Sequence, residues 1–269
     1  MTTQQSKADL LHSLHRAGDP LVLANVWDGA SARLVAGAGA KAIATASASV
    51  SWTLGSKDGG HLDRERALAQ AALVVRMVDL PVTADLESGY ADTPAGVGGT
   101  IAELLATGAV GVNLEDSQAG GLRPLADAAE RIAAARAAAD AAGVRLFVNA
   151  RTDVFLHGPG GAEERLEQTL TRARAFVEAG ASGVFVPGIA DPELIAVLAK
   201  EIPAPLNVGG TASVAELAAL GVARISLGPG LAMSAYAVVK RAAEEAYATG
   251  SFGALAGGLT YTELNGLFQ

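Results

Sequence analysis

Eight short apolar runs, separated by helical segments, constrain the fold of this chain more than any other feature of its sequence. Each run is nearly continuously apolar, which is typical of strands that are buried on both faces of a parallel sheet. We predict strands at residues 21–26, 42–47, 81–86, 111–116, 145–151, 183–188, 205–210 and 224–229.

A helical pattern follows each predicted strand, and several patterns end in Gly just before the next strand, a common helix C-terminal signal. Eight strands that alternate with eight helices predict an α/β fold of the (β/α)8 TIM barrel type. The alternative is an open doubly wound sheet, which needs a G-x-G-x-x-G turn, and "WDGASARL" after the first strand has none. We expect one barrel over residues 1–250, opened by a helix at 4–16, and a C-terminal helical tail over 251–269.

Composition excludes several classes of protein. The 269 residues include 28 acidic and 20 basic side chains without a long basic run, so nucleic acid is not expected as a partner. The lack of cysteine excludes disulfides, thiolate zinc sites and thiol nucleophiles. No apolar run reaches the ~18 residues of a membrane helix, and the first residues lack the apolar core of a signal peptide. We therefore expect a cytoplasmic protein that does not bind membranes.

Charged side chains collect where the predicted strands end, and in a barrel these ends form the active-site face. Asp85 and Glu87 close the third strand, Glu115 and Arg151 lie at the ends of the fourth and fifth, and Asp58 follows the second. Crowded carboxylates repel one another unless a cation lies among them. A hard divalent ion held by carboxylates and waters suits Mg²⁺ better than zinc. We predict a Mg²⁺ site here, with Mn²⁺ as an alternative ion.

Several other features leave two interpretations open. Asp116 and Asp153 are either site residues or structural groups that cap helices or form salt bridges, whereas Asp28 is better explained as a helix cap. The turns "VGGT" and "LGPG" after strands seven and eight either bind a phosphate group or are glycine-rich only because tight turns need glycine.

Histidine and lysine positions bear on the chemistry. His12 and His15 are predicted at the surface of the first helix. His61 and His157 fall in loops on the active face, either as proton-transfer groups or as solvated side chains. No lysine lies within a predicted strand, which argues against a Schiff-base aldolase.

Five ordered motifs carry a resemblance to a known family. They follow the opening segment "NVWDGASARLVAGAGAKAIATAS" and are "TASAS" at 45–49, "LGSKD", "PVTADLESGYAD", "GVNLED" and "NARTD". In this order and at this spacing, the chain resembles the isocitrate lyase/phosphoenolpyruvate mutase superfamily over nearly its whole length. The resemblance implies a Mg²⁺-dependent barrel that acts on 2-oxo acids or their precursors through an enolate, in a homotetramer or homodimer whose C-terminal helices are exchanged.

The resemblance also implies roles for individual residues. Asp85 would bind the metal directly, while Asp58, Glu87 and Glu115 would hold its waters. Arg151 would bind the carboxylate and enolate oxygens, and it is predicted to be catalytic together with Asp58 and Glu115.

The substrate would lie in a cradle next to this ion. The backbone N–H groups or hydroxyls of Ser47, Ala48 and Ser49 would bind its carboxylate. Asn207 would bind another polar group, and Asp85 and Arg151 would complete the substrate-binding set.

Two departures from the family pattern affect the expected reaction. The loop at 117–125, in "EDSQAGGLRPLAD", lacks the Cys of the isocitrate and methylisocitrate lyases, and Pro187 stands where relatives carry His or Glu. We expect a lyase that cleaves a C–C bond or decarboxylates a small 2-oxo or 2-hydroxy acid of the oxaloacetate type. The alternatives are P–C chemistry on a phosphonopyruvate-type substrate and a non-catalytic 2-oxo acid binder.

Overall fold

The structure, a computed structural model, describes residues 3–118 and 121–268, and its centre is a barrel of parallel strands. The barrel strands all lie within the predicted runs and are β1 Leu21–Leu23, β2 Ile43–Ala44, β3 Val82–Asp85, β4 Gly111–Glu115, β7 Phe147–Arg151, β8 Gly183–Val186, β9 Leu206–Gly209 and β10 Arg224–Ser226. A hairpin of β5 Ser117–Gln118 and β6 Gly121–Leu122 lies between β4 and the helix that follows. Residues 119 and 120 of the predicted loop lie outside the described residues.

The barrel strands pair in parallel in the order β1-β10-β9-β8-β7-β4-β3-β2. A parallel bridge between Val26 and Thr45 joins the segments that follow β1 and β2, and this contact brings the two ends of the sheet together. The predicted (β/α)8 barrel is confirmed. Its geometry places the carboxyl ends of all eight strands on one face.

Helices surround the barrel and connect its strands. They are α1 Gln4–Ser13, α2 Gly29–Gly37, α3 Ser47–Thr53, α4 Arg64–Met77, α5 Pro94–Ala106, α6 Leu125–Ala141, α7 Val154–His157, α8 Ala162–Glu178, α9 Pro192–Glu201, α10 Val214–Ala219, α11 Gly230–Thr249 and α12 Tyr261–Gly266. Two of them, α3 and α7, are short and were not predicted. The second strand ends at Ala44, three residues earlier than predicted, because Ser47 already begins α3.

The two faces of the barrel strands differ in polarity. Outward side chains such as Val82, Ala84 and Val112 are buried in apolar clusters. Inward positions carry polar groups, and Asn149 donates hydrogen bonds to the side chains of Asn113 (2.9 Å) and Asn207 (3.1 Å). The barrel interior therefore contains a hydrogen-bonded polar layer beneath the active-site face.

Arg224 lies in this layer and is fully buried. Its guanidinium donates to Asn113 at 3.2 Å and to Ser226 at 3.3 Å, while Nη1 has no hydrogen-bond partner. Within residues 3–118 and 121–268 it forms no ion pair. Burial lowers the pKa of Arg224 to about 9, although Asp85 counteracts this effect.

Helix α1 covers the end of the barrel opposite the active-site face. His15, two residues past the end of α1, is buried, stacks on Phe147 with ring centroids 3.8 Å apart, and contacts the Leu11 carbonyl oxygen through Nδ1 at 2.7 Å. The prediction that His15 lies on the surface is therefore wrong. The physical reason is that α1 ends at Ser13, and the segment after it places this side chain against the aromatic ring of Phe147 on β7 instead of in solvent.

Helix α11 packs poorly against its own barrel. Of its 20 residues only Ala232 is buried, whereas Val239 is 64 % exposed and Tyr247 is 92 % exposed. Apolar exposure continues past the helix at Phe252 and Tyr261. Among the described residues, no helix is long and apolar enough to span a membrane.

Candidate active site

Asp85 is positioned by the segment that follows β2. Its backbone N–H donates to the hydroxyl of Thr45 at 2.9 Å, and its carboxylate accepts the backbone N–H of Ser47 at 3.1 Å. Ser47 is the first residue of α3, and the preceding Ala46 supplies no side-chain cap. The carboxylate therefore lies at the N-terminal end of α3, where backbone N–H groups lack partners within the helix.

Glu87 fastens a loop to the barrel. One of its carboxylate oxygens accepts the backbone N–H of Gly60 and the other accepts the Tyr90 hydroxyl at 2.9 Å. Its backbone has φ of 49°, a left-handed conformation that is uncommon for a residue with a side chain. The loop at 54–61 carries Asp58, so Glu87 fixes the segment that presents Asp58 to the active-site face.

Arg151 joins the ends of β4 and β7. It forms an ion pair with Glu115 at 2.9 Å and a bidentate pair with Asp153 at 2.6 and 2.9 Å. The guanidinium also lies 5.9 Å from the ring centroid of Phe185. Ser117, at the start of the hairpin, donates to the Asp153 carboxylate. Arg151 is therefore held in one orientation by two carboxylates before any ligand arrives.

Asp116 has a structural role. Its carboxylate accepts hydrogen bonds from the Thr152 hydroxyl at 2.8 Å, the backbone N–H of Asp153 at 2.9 Å and the guanidinium of Arg172 at 3.1 Å. Arg172 also donates to the carbonyl oxygen of Arg123, which follows the hairpin. Of the two interpretations left open by the sequence, a buried salt bridge describes Asp116. Asp28 caps α2, as expected.

Three carboxyl groups of the site are unfavourable as anions. Burial raises the pKa of Asp85, of Glu87 and of Glu115, and neighbouring carboxylates raise each one further. Arg151 acts in the opposite direction on Asp85 and Glu115 without cancelling the effect of burial. A proton or an added cation would therefore stabilise this group of side chains.

The donor set fits Mg²⁺. All of the candidate ligands are carboxylate oxygens, which suit a hard cation. In the part of the chain that the structure describes, no three His, Cys, Asp or Glu side chains converge closely enough to hold a metal together. Direct ligation by one or two carboxylates, with waters bridging to the others, is the binding mode that Mg²⁺ favours.

A cavity of about 300 Å³ opens at the mouth of the barrel. Its polar lining comes from Asn25, Ser47, Asp58, Asp85, Asn113, Arg151 and Ser226. Its apolar lining comes from Ala46, Ala48, Leu156, Phe185, Pro187, Leu227 and Pro229. The size suits a small organic acid, and the polar part includes both the N-terminal end of α3 and Arg151.

A second, larger cleft of about 720 Å³ shares Asp58 and Arg151 with this cavity. Its other lining residues include Glu87, Glu115, Arg123, Asp153, His157 and the hairpin residues Ser117 and Gln118. The carboxylates therefore separate two spaces, one that can hold an acid and one that the hairpin borders.

Comparison with known proteins identifies the family. The sequence profile of phosphoenolpyruvate phosphomutase matches residues 11–247. The chain belongs to the phosphoenolpyruvate phosphomutase family. The predicted membership of the isocitrate lyase/phosphoenolpyruvate mutase superfamily is confirmed.

Relatives of this phosphomutase-family protein include lyases and decarboxylases. A Mycobacterium tuberculosis protein without a described activity is 39% identical over 81% of this chain and 81% of its own length. The 2-methylisocitrate lyase of Bacillus subtilis is 29% identical over 76% of this chain and 67% of its own length. The oxaloacetate decarboxylase of a Bradyrhizobium strain is also 29% identical, over 80% of this chain and 72% of its own length. These relatives support an enzyme of the lyase superfamily.

Solved structures agree with the fold. A proposed phosphonomutase from Burkholderia cenocepacia is 48% identical with a TM-score of 0.87, over 90% of this chain and 99% of that one. A 2,3-dimethylmalate lyase is 26% identical with a TM-score of 0.85, over 100% of this chain and 95% of that one. A phosphonopyruvate hydrolase complex with oxalate and Mg²⁺ is 23% identical with a TM-score of 0.84, over 98% and 95%, and shows the shared fold.

In this family member, most of the predicted site residues meet at one place. Ser47, Ala48, Asp85 and Arg151 line the smaller cavity, Glu87 and Glu115 line the cleft, and Asp58 lines both. Their individual roles stay predictions.

Two predicted substrate-binding residues lie away from the cavity. Ser49 is fully buried and its hydroxyl has no hydrogen-bond partner, and it is not among the lining residues. Asn207 is buried in the polar layer, where it donates to the carbonyl oxygens of Val208 (3.0 Å) and Arg224 (3.1 Å). The structure therefore gives no support to direct substrate contact by either side chain.

Sequence reasoning missed three polar lining residues, Asn25, Asn113 and Ser226. Two of them could have been found from the strand period. Asn113 precedes Glu115 by two residues on β4, so the two side chains point to the same side. Ser226 has the same spacing from Arg224 on β10.

The two loop histidines lie in different surroundings, and both glycine-rich turns reach the smaller cavity. His157 lines the cleft, whereas His61 is exposed and lines neither space. The glycine-rich turns contribute Gly209, Gly210 and Gly228 to the smaller cavity. His157 is therefore a candidate proton donor, and the phosphate interpretation of the turns remains open.

Proposed function

We propose that this protein is a Mg²⁺-dependent lyase that cleaves a C–C bond of, or decarboxylates, a small 2-oxo or 2-hydroxy acid through an enolate. The observation that carries the proposal is the position of Arg151, which lines the acid-sized cavity between the N-terminal end of α3 and the carboxylate group. The lyase and decarboxylase relatives support the same class of reaction.

The cavity walls would bind and orient the acid. The uncapped backbone N–H groups at the start of α3, including those of Ala48 and Ser49, can donate to a substrate carboxylate. Arg151 can donate to the 2-oxygen and to the same carboxylate, because Glu115 and Asp153 hold its guanidinium in place. This arrangement keeps the carbon that becomes the enolate at a fixed distance from Arg151.

The carboxylates would hold the divalent ion. Asp85 is the proposed direct ligand, with Asp58, Glu87 and Glu115 holding its waters. When bound, such an ion offsets negative charge that develops on an enolate oxygen. The same charge lowers the cost of keeping the buried carboxyl groups ionised.

A proton must reach the enolate carbon after the bond is cleaved. Among the described residues, His157 is the one imidazole that lines the cleft on the side of the hairpin. We assign it as the proton donor in this proposal. Replacement by Gln should lower the turnover number and leave the affinity for oxalate unchanged.

A second candidate function is P–C bond chemistry on a phosphonate. The 48% identity to a proposed phosphonomutase favours it, as do the glycine turns at the edge of the cavity. Incubation with phosphonopyruvate and detection of phosphoenolpyruvate, or of phosphate and pyruvate, by phosphorus NMR distinguishes it from the lyase.

Thermal melts with Mg²⁺ and oxalate test the metal–enolate site. Oxalate mimics the planar enolate of pyruvate, and a ligand at 100 times its Kd stabilises by about 2.7 kcal/mol. We expect Mg²⁺ and oxalate together to raise Tm by several degrees, and Asp85→Ala to abolish the shift. Asp140→Ala, at an exposed aspartate on α6, should retain it.

Each outcome has a clear meaning. Failure of the wild-type protein to respond to Mg²⁺ and oxalate would refute the proposed site. Binding without conversion of any 2-oxo acid or phosphonate would indicate the third alternative, a non-catalytic 2-oxo acid binder.

We also propose that the chain assembles as a homotetramer or homodimer through residues 251–269 and α11. The exposure of Val239 and Tyr247 supports this proposal, because large apolar side chains on a helix need a partner surface. Light scattering on the full chain should give a mass of two or four chains. Val239→Asp should shift the mass to one chain, and a monomeric wild type would contradict the assembly.

A further inference from the structure

The cavity at the mouth of the barrel has a polar half and an apolar half, and the apolar half has no role in enolate formation. Its wall consists of Leu156 on α7, Phe185 and Pro187 around the end of β8, and Leu227 and Pro229 after β10. These residues come from three separate connections, so the apolar wall is a shared property of the βα loops on one side of the mouth.

Two of these side chains lie over glycines that leave room for them. A Cβ at Gly188 would lie 2.5 Å from Leu156 Cδ2, and a Cβ at Gly210 would lie 2.7 Å from Leu227 Cδ2. A side chain at either glycine would therefore require the tip of the leucine above it to shift. Leu156 and Leu227 nevertheless remain 44 % and 38 % exposed, so the backbone accommodates two leucines whose apolar surface faces the open cavity.

The charged residues that line the cavity also favour an uncharged group in its apolar half. Arg151 is the one cation that lines it within residues 3–118 and 121–268, and Glu115 and Asp153 already pair with that guanidinium. Arg224 lies beneath the lining and does not reach the cavity. A second carboxylate on the substrate would therefore meet apolar carbon, Asp58 or Asp85 without a cation to pair with.

We infer that the substrate carries one carboxylate, bound at the polar half, and an uncharged apolar substituent, which packs against Leu156, Phe185 and Leu227. This inference rests on the proposed function, since it takes the N-terminal end of α3 and Arg151 as the carboxylate site. It narrows the substrate class from diacids of the oxaloacetate type to 4-hydroxy-2-oxo monoacids. In such an acid the 4-hydroxyl would lose its proton as the C3–C4 bond breaks, which leaves an aldehyde with a small alkyl or aryl group and the enolate of pyruvate. Each methylene that fills the apolar half should improve binding about fourfold.

A pair of acids with matched shapes tests the inference. In 4-methyl-2-oxopentanoate an isopropyl group replaces the second carboxylate of oxaloacetate at nearly equal size. Competition of each acid against oxalate, with Mg²⁺ present, gives their relative affinities for the wild-type protein. We expect the alkyl acid to bind at least tenfold more tightly than oxaloacetate.

Leu156→Arg adds a cation to the apolar wall and should reverse this preference between the two acids. Leu34→Arg, at a similarly exposed leucine on α2, should leave the preference unchanged. If oxalate binds but oxaloacetate competes as well as the alkyl acid, the inference is wrong and the proposed function stands. If oxalate itself fails to bind with Mg²⁺, the proposed function fails first.

Discussion

The backbone N–H of Gly60 donates a hydrogen bond to the carboxylate of Glu87, which lies 27 positions further along the chain. This contact connects the loop after α3 to the end of β3 and fixes the backbone two residues from Asp58. Glu87 thus holds the loop that carries Asp58, in addition to lining the cleft itself.

Glu87→Ala should release this loop. Both acceptors for Gly60 and Tyr90 are lost, and hydrogen bonds to a charged group contribute about 1.5–3 kcal/mol each. We expect a loss of about 3–6 kcal/mol in unfolding free energy for the two bonds together, and faster amide exchange at residues 58–61. Glu65→Ala, at an exposed position on α4, should change neither quantity. Unchanged exchange at 58–61 would show that the loop is held by other contacts.

Arg151→Lys should weaken oxalate binding and leave the fold nearly unchanged. A lysine keeps the positive charge near Glu115 and Asp153, but it cannot reproduce the bidentate geometry that Arg151 forms. We expect oxalate affinity in the presence of Mg²⁺ to fall at least tenfold by calorimetry. Arg174→Lys, at an exposed pair with Glu201, is the matched control. Wild-type affinity in Arg151→Lys would exclude Arg151 as the carboxylate-binding group.

The effects of Asp116 and Arg172 on the unfolding free energy should be strongly coupled. Changes at either residue should leave the affinity for oxalate nearly unchanged. Removing one partner leaves an uncompensated buried charge, so Asp116→Asn and Arg172→Met should each cost about 3–5 kcal/mol. The double variant should cost less than their sum, by about 0.5–3 kcal/mol. Urea unfolding of the four proteins measures the coupling. Additive losses would mean that the two side chains act independently.

His15 should make the protein sensitive to acid. Burial lowers the pKa of His15 to about 3, with Arg224 contributing, while in the unfolded chain the imidazole titrates near 6.5. Below about pH 6.5 the unfolded state binds a proton that the folded state rejects, so stability falls as pH falls towards 3. At pH 5 the loss attributable to His15 is about 2 kcal/mol relative to pH 8.

His15→Phe keeps a ring against Phe147 and removes the titration. Its unfolding free energy should therefore fall less than that of the wild type between pH 8 and pH 5, as measured in urea. His61→Gln, at an exposed loop position, should retain the wild-type slope. Parallel curves for wild type and His15→Phe would show that His15 is protonated at no cost in the fold.

The sequence predicts the barrel strands well because each strand is marked by an apolar run of a few consecutive residues. Apolar runs identify every barrel strand, since strands under helices need apolar outward side chains such as Val82 and Val112. The second strand shows the largest difference between the predicted bounds, 42–47, and the observed ones, Ile43–Ala44. Short Ala and Ser side chains fit a strand as well as a helix, and only the tertiary contact from Ser47 to Asp85 determines that α3 begins there.

The candidate site is predicted less completely, for a different physical reason. Residues at the ends of strands, such as Asp85 and Arg151, reach the cavity because the barrel geometry places them there. How deep a polar side chain lies depends on the stagger between strands. Asn113 on β4 reaches the cavity, while Asn207 on β9 remains in the layer below. Sequence alone does not give this stagger.

The burial of Arg224 determines how the charges at the mouth of the barrel respond to salt. A surface cation loses most of its long-range attraction at physiological ionic strength, where the Debye length is about 8 Å. Counterions cannot approach Arg224, which is enclosed by the strands and lies close enough to Asp85 for the two charges to interact. The attraction between Arg224 and Asp85 should therefore persist in concentrated salt.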